Sequence, residues 1–268
     1  MYLNHLLEQT LKTVRDTGHF ILEENQKLSS GDIEYKGKND LVSYVDKEAE
    51  KKLVKGLSEI LPEAGFITEE GTANVGKADR YNWVIDPVDG TTNYVHNLPF
   101  YSISVGLMEE KEVILGAIYE PNRDEMFYAT RNGQAYLNDQ EIKVSSVATL
   151  EESLLATGFP YSKFQEMSAY IDVVQDLMQQ THGLRRMGSA ALDLAYVACG
   201  RFEGFFEYNL KPWDVAAGAL IVQQAGGSVT TFTGTENYIF GGELVAGCDV
   251  RPALMEVVKK HWYSGKDY

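Results

Sequence analysis

Two aspartates separated by a proline and a valine, Asp86-Pro87-Val88-Asp89, follow the apolar, β-prone run Trp83-Val84-Ile85 and precede Gly90-Thr91-Thr92-Asn93. A strand that ends in such acids delivers hard oxygen donors to one place, which suits a divalent cation. Backbone N–H groups from Gly90 onward can face an anion at the start of a short helix. Pro87 has no N–H to donate and biases Asp86 toward extended geometry, Gly90 permits a tight turn, and Thr91 or Thr92 is expected to cap the helix. Metal and phosphate handled together is the chemistry this stretch can serve. In isolation Asp-x-x-Asp-Gly is more often a plain turn, so the rest of the chain must supply partners.

Further acids stand at other element ends. Gly65-Phe66-Ile67-Thr68-Glu69-Glu70-Gly71 reads as a short buried strand closing on a carboxylate pair. Adjacent side chains of a strand point opposite ways, so only one of Glu69 and Glu70 is expected to face a shared site. Asp46 falls in or near the first turn of an amphipathic helix within 41–61, and Lys36 in the polar turn 36–40, so the two can meet at one rim. Pro212-Trp213-Asp214-Val215-Ala216-Ala217-Gly218 starts another helix and places Asp214 at an element boundary, where a helix-start role and ligation both remain open. His96, a single histidine after the central turn, reads as a structural or rim residue by default.

The elements that must position these residues follow from periodicity. Leu3, Leu6, Leu7, Leu11, Val14, Ile21 and Leu22 mark a first packed helix with Gly18 as its weak point. After the Thr91 turn, 101–108, 113–119, 125–129 and 135–137 read as short strands of a largely antiparallel sheet with an aromatic core. A second arrangement starts near Leu150: a strand over 154–159, a helix over 164–180, a helix opening at Gly188-Ser189-Ala190-Ala191, a strand over 202–208 and the Pro212 helix. This βαβ alternation implies a sheet covered by helices. The expected boundary lies between halves 1–148 and 149–268, packed closely as one catalytic unit without a flexible linker.

Composition narrows the class. The chain has 268 residues, 24 Lys plus Arg against 39 Asp plus Glu, and a formal charge of −15, which disfavours indiscriminate binding to nucleic acid or an anionic membrane. A small phosphorylated partner brought in with cations fits better. Met1 to Leu11 shows neither a signal peptide nor a membrane segment, and Cys199 and Cys248 make neither a disulfide framework nor a zinc cluster. A cytoplasmic, reduced location is expected.

Glu69-Glu70, Trp83 through Asn93, and Trp213 through Gly218 together resemble the three motif regions of the inositol monophosphatase family, in the same order and at similar separations. The continuation Thr92-Asn93-Tyr94-Val95-His96-Asn97-Leu98-Pro99-Phe100 is similar to the inositol phosphatase branch rather than to the nucleotide bisphosphatases. The resemblance covers nearly the whole chain. It implies a layered α-β-α-β-α sandwich of the α/β class, a homodimer, and an active site holding two or three Mg²⁺ ions where the halves meet. By motif position it implies Glu69, Asp86 and the Val88 carbonyl on one ion and Asp86, Asp89 and Asp214 on a second. Gly90 and Thr91 then receive the phosphate, Thr91 orients the nucleophilic water, and Asp46 helps hold water around the ions. Glu70 and Lys36 support the acids. Asp89, Gly188, Ser189, Ala190 and Glu207 surround the hydroxylated ring, while Lys211 and Arg185 are long enough for polyol or subunit contacts. The implied activity is Mg²⁺-dependent hydrolysis of inositol monophosphate to inositol and phosphate. The alternatives are a 3′(2′),5′-bisphosphate nucleotidase, a fructose-1,6-bisphosphatase-like enzyme, or, in a different class, a protein-interaction or RNA-metabolism role with nucleic-acid or transcription-protein partners.

Overall fold

The computed structural model describes residues 2–27, 33–37, 40–74, 76–160 and 164–262, with side chains for all of these except 2, 33–37 and 40–43. In chain order the first half contains α1 (Tyr2–Asn25), β1 (Ile33–Gly37), β2 (Asp40–Ser43), α2 (Tyr44–Ile60), β3 (Gly65–Thr68), β4 (Tyr81–Asp89), α3 (Thr91–Val95), β5 (Ser102–Glu109), β6 (Glu112–Glu120), β7 (Glu125–Thr130), β8 (Ala135–Leu137) and β9 (Gln140–Glu141). The second contains β10 (Leu154–Thr157), α4 (Met167–Gln180), β11 (Gly183–Arg185), α5 (Ala190–Ala198), β12 (Gly204–Tyr208), α6 (Pro212–Gln224), β13 (Ser228–Thr230), β14 (Glu243–Gly247) and α7 (Arg251–Trp262).

Five layers result. The apolar stripes of α1 and α2, including Leu6, Val14, Ile21, Leu53 and Leu57, pack on one face of a seven-stranded sheet ordered β3-β4-β5-β6-β7-β8-β9. Only the β3/β4 pair in that sheet is parallel. α5 and α6 lie between it and a five-stranded sheet ordered β11-β10-β12-β14-β13, and all nine residues of α5 are buried, as a helix enclosed on both sides requires. α4 and α7 cover the outer face around Tyr170, Phe232 and Trp262. The α-β-α-β-α sandwich expected from the resemblance is the one found.

α6 approaches the first sheet closely because glycines face it. A Cβ on Gly116 of β6 would stand 2.7 Å from the Ala217 carbonyl oxygen, and one on Gly106 of β5 would stand 3.3 Å from the Ala216 Cβ. This contact brings the N-terminal turn of α6, with Asp214, against the strand that carries Asp86.

Within the polar turn expected over 36–40 the chain reverses between Gly37 and Asp40, which pair across an antiparallel hairpin; Lys36 and Gly37 end β1 and Asp40 starts β2. The side chain of Lys36 lies outside the described residues, and so does its expected meeting with Asp46. Several element ends also move by a few residues. The strand expected over 154–159 stops at Thr157, the helix over 164–180 starts at Met167, and the strand over 202–208 starts at Gly204.

Candidate metal and phosphate site

The site is built from the end of β4. Thr68 of β3 lies opposite Ile85, the Glu69 amide donates to the Ile85 carbonyl at 3.3 Å, and one further step of this parallel register sets Glu69 beside Asp86. β4 runs through the acidic pair and ends at Asp89, by way of a bulge. Asp86 pairs with Ser104 and Asp89 with Ser102, so three steps on β4 oppose two on β5. Pro87 removes a ladder donor there, and Asp86 Oδ1 accepts from the Val88 amide at 2.9 Å. Burial holds the Asp86 carboxyl well above the usual carboxylate range, and the charges of Glu69, Asp89 and Asp214 and a hydrogen bond with Glu69 push it the same way.

Gly90 follows with φ of 100°, in the left-handed region, and serves as the N-cap of α3 without a side-chain cap. A Cβ there would also stand 3.1 Å from the Gly188 carbonyl oxygen, so glycine is required for conformation and for space. The expected cap by Thr91 or Thr92 is thereby corrected: both already lie inside the helix, past the position from which a hydroxyl can reach the free amides. The Thr91 hydroxyl instead stands 3.1 Å from Asp46 Oδ1 and 3.1 Å from the Val88 carbonyl oxygen. It has one proton and so donates to one of them at a time. Asp46 is in the first turn of α2 and is buried.

The second half supplies the opposite wall. Asp89 Oδ2 accepts from the Ser189 hydroxyl at 2.6 Å and from the Ala191 amide at 2.7 Å. Ser189 is the N-cap of α5 and also accepts from the Leu192 amide at 3.3 Å. Burial pushes Asp89 up to about 6 against the pull of these donors and of Arg186. Ser189 and Ala190 are buried and form the seat of Asp89. Gly188 turns with φ of 95°, and Asn93 fastens the junction by donating to the Phe100 and Met187 carbonyls at 2.7 and 2.8 Å.

Asp214 closes the site from α6, where its Oδ2 accepts from the Lys211 amide at 2.7 Å in a capping box. Burial holds it well above the usual range, the Asp89 charge adds to this, and the Lys211 amide opposes it. Glu207 of β12 is half-buried, and its carboxylate lies so close to Gly158 that a Cβ there would stand 2.1 Å from Oε2. Burial pushes Glu207 up to about 8, with Arg186 lowering it and Asp89 raising it. Glu69, Asp86, Val88, Asp89, Asp214, Asp46, Thr91, Gly188 and Glu207 therefore converge, whereas His96 is the exposed C-cap of α3. Three further charged residues escaped the sequence reading: Glu50, Arg186 and the buried Asp193. Glu50 alone had a signal, since it follows Asp46 by one helical turn and shares its face.

Among the described residues, no group of three or more His, Cys, Asp or Glu is arranged to hold a metal ion as it stands. The acids satisfy themselves locally: Asp86 on the Val88 amide, Asp89 on α5, and Asp214 on Lys211. Their chemistry nonetheless fits Mg²⁺, which takes carboxylate and carbonyl oxygens; burial is the largest cause raising Asp86 and Asp214, and the repulsion between acids that adds to it is what a divalent cation relieves.

The sequence matches the inositol monophosphatase family over residues 3–263. The chain belongs to that family. It is 40% identical over 245 residues to the Nus factor SuhB of Salmonella typhimurium, a match spanning 91% of this chain and 92% of that protein. Among solved structures, the extragenic suppressor protein suhB of Bartonella henselae aligns with a TM-score of 0.90 at 36% identity, covering 96% of this chain and 99% of the other. The inositol monophosphatase of Anabaena aligns with a TM-score of 0.85 at 32% identity, covering 97% and 98%. Membership carries the expectation of a metal-dependent mechanism. No helix among the described residues is long and apolar enough to cross a membrane.

Proposed function

We propose that this chain is a Mg²⁺-dependent phosphomonoesterase that hydrolyses inositol monophosphate to inositol and phosphate. The observation that carries the reading is the convergence of Glu69, Asp86, Asp89 and Asp214 beside a Thr91 hydroxyl bonded to Asp46. Glu69, Asp86 and the Val88 carbonyl would hold one ion, and Asp86, Asp89 and Asp214 a second. When bound, Mg²⁺ supplies Lewis acidity and makes a water easier to deprotonate. Thr91 donates to Asp46, which leaves its oxygen lone pairs free to accept from the attacking water and aim it at phosphorus. Gly90 and Thr91 seat the phosphate, the ester P–O bond breaks as the water oxygen bonds to phosphorus, and the departing inositol oxygen takes up the proton that the water gives up. Asp89, held by Ser189 and α5, also faces the organic part of the substrate. Gly188 and Glu207 line that side, and Glu207 reads ring hydroxyls. Ser189 and Ala190 serve by fixing Asp89. The cytoplasmic homodimer belongs to the same reading.

A second reading is favoured by the kinship to a Nus factor: an association with transcription proteins carried on the same fold. Phosphate release from inositol, nucleotide and sugar phosphates, with Mg²⁺ or with EDTA, tests the first reading. Mg²⁺-dependent release greatest on inositol monophosphate supports it. Absence of release from every ester, with transcription proteins still bound by a folded Asp86→Asn variant, overturns it in favour of the second.

A further inference from the structure

Glu50 has no exposed surface, yet it carries a carboxylate on α2. Its Oε2 accepts from the Glu70 amide at 2.7 Å, and its Oε1 accepts from the Thr72 amide at 2.6 Å and the Thr72 hydroxyl at 2.8 Å. All three donors belong to the segment that leaves the sheet just after Glu69. The last sheet bond of that segment is the Glu69 amide on Ile85 at 3.3 Å, so the next fixed point along the chain is Glu50. Asp46, one turn earlier on the same helix face, accepts from Thr91.

We propose that Glu50 is a positioning residue that sets Glu69 for the metal site. α2 thus acts as a single rail: Asp46 registers Thr91 and the start of α3, and Glu50 registers the Glu69 segment. A loop with only its first residue tied to β4 would let the Glu69 carboxylate drift relative to Asp86. A buried carboxylate is retained only where donors satisfy it, and an apolar side chain would fill the same space without holding the loop. Glutamine cannot replace it, because both oxygens accept and an amide nitrogen would oppose a backbone N–H. The inference rests on the reading that Glu69 ligates Mg²⁺.

The test is Mg²⁺ titration by calorimetry on folded proteins without substrate, followed by hydrolysis at saturating Mg²⁺. Loss of a residue that orients a metal ligand typically weakens metal binding about 10- to 100-fold, and this is expected for Glu50→Gln, with the hydrolysis rate recovering as Mg²⁺ saturates. Thr72→Val keeps the backbone donor and loses only the hydroxyl, so a weakening of about threefold is expected. Glu59→Gln, on an exposed part of α2, should bind Mg²⁺ as the wild type does. Lowered thermal stability in Glu50→Gln with Mg²⁺ affinity within about twofold of wild type would make the residue merely structural and overturn the proposal. If Glu50→Gln does not fold, Thr72→Val decides, and an unchanged affinity there overturns it. A wild type that shows this pattern of binding but cleaves no ester sinks the phosphatase reading alone. A wild type that binds no Mg²⁺ sinks both.

Discussion

Ser189→Ala offers the sharpest measurement of how the two halves hold one another. The hydroxyl makes three contacts at once: it donates to Asp89 Oδ2 at 2.6 Å, caps α5 through the Leu192 amide, and stands 3.4 Å from the Ser102 hydroxyl. Losing a serine N-cap costs about 1 kcal/mol. Losing a hydrogen bond to an ionised group costs about 1.5–3 kcal/mol, and one to a neutral group about 1 kcal/mol. Asp89 stands at about 6 in the folded chain against its usual 3.8. Its contribution to stability is therefore fully present below the usual value and is lost as pH rises through about 6. Removing the donor raises the folded value further, so the variant loses more over that rise. Expected destabilisation is about 2 kcal/mol at pH 5, where Asp89 is mostly neutral, and about 2.5–4 kcal/mol at pH 8, where it is charged. Urea unfolding in EDTA at both pH values, with equal m-values for the two proteins, reads this difference. A cost below about 1 kcal/mol at pH 8, or the same cost at both pH values, would refute the proposed link between charge, cap and interface.

Asp86→Asn should reduce hydrolysis by about a thousandfold or more while raising the melting temperature in EDTA, because it removes one of several repelling acids and keeps the Oδ1 acceptor for Val88; steady-state rates and calorimetry check the pair of effects. Gly116→Ala should cost about 1–3 kcal/mol, since the new methyl meets the Ala217 carbonyl oxygen at 2.7 Å, and thermal unfolding should register it as a fall of about 2–4 °C per kcal/mol. Glu207, pushed up to about 8 from its usual 4.5, loses its stabilising contribution as pH rises through 8, so Glu207→Gln should gain stability relative to wild type between pH 6 and pH 9 in EDTA. In kcat/KM, Glu207→Ala should harm inositol monophosphate more than p-nitrophenyl phosphate, which lacks the ring hydroxyls.

The acids were legible because each stands where an apolar strand or helix pattern changes, and such changes survive in one dimension. The layers followed from the same periodicities, helped by the family resemblance. Other features depend on contacts across the chain. The cap of α3 was misassigned to threonine because Gly90 advertises only a turn, and its crowding by Gly188 is invisible without the second half. Ser189 carries the composition of a helix cap, yet its bond to a residue 100 positions away has no local mark. The strands β13 and β14 and the helix α7 lie beyond the Pro212 helix, the last element legible from periodicity, because glycine-rich loops interrupt the alternation there. Gly37 and Asn39 mark the reversal after Lys36, while the extension of β1 through Lys36 depends on pairing with β2.

The bond between Asp89 and α5 also has a consequence for how the chain acquires its site during synthesis. When residue 180 leaves the ribosome, most of the acids have emerged and the first sheet has all its strands, but Asp214 and the donors that seat Asp89 do not yet exist. Contacts spanning about a hundred residues form late, after the cost of closing so large a loop has been met. On the proposed reading, ligand binding is therefore withheld from unfinished chains, and a ligand that binds only the closed arrangement adds its stabilisation only to finished ones. A nascent chain truncated anywhere before α6 should bind neither ion nor phosphate ester at the concentrations that saturate the complete protein.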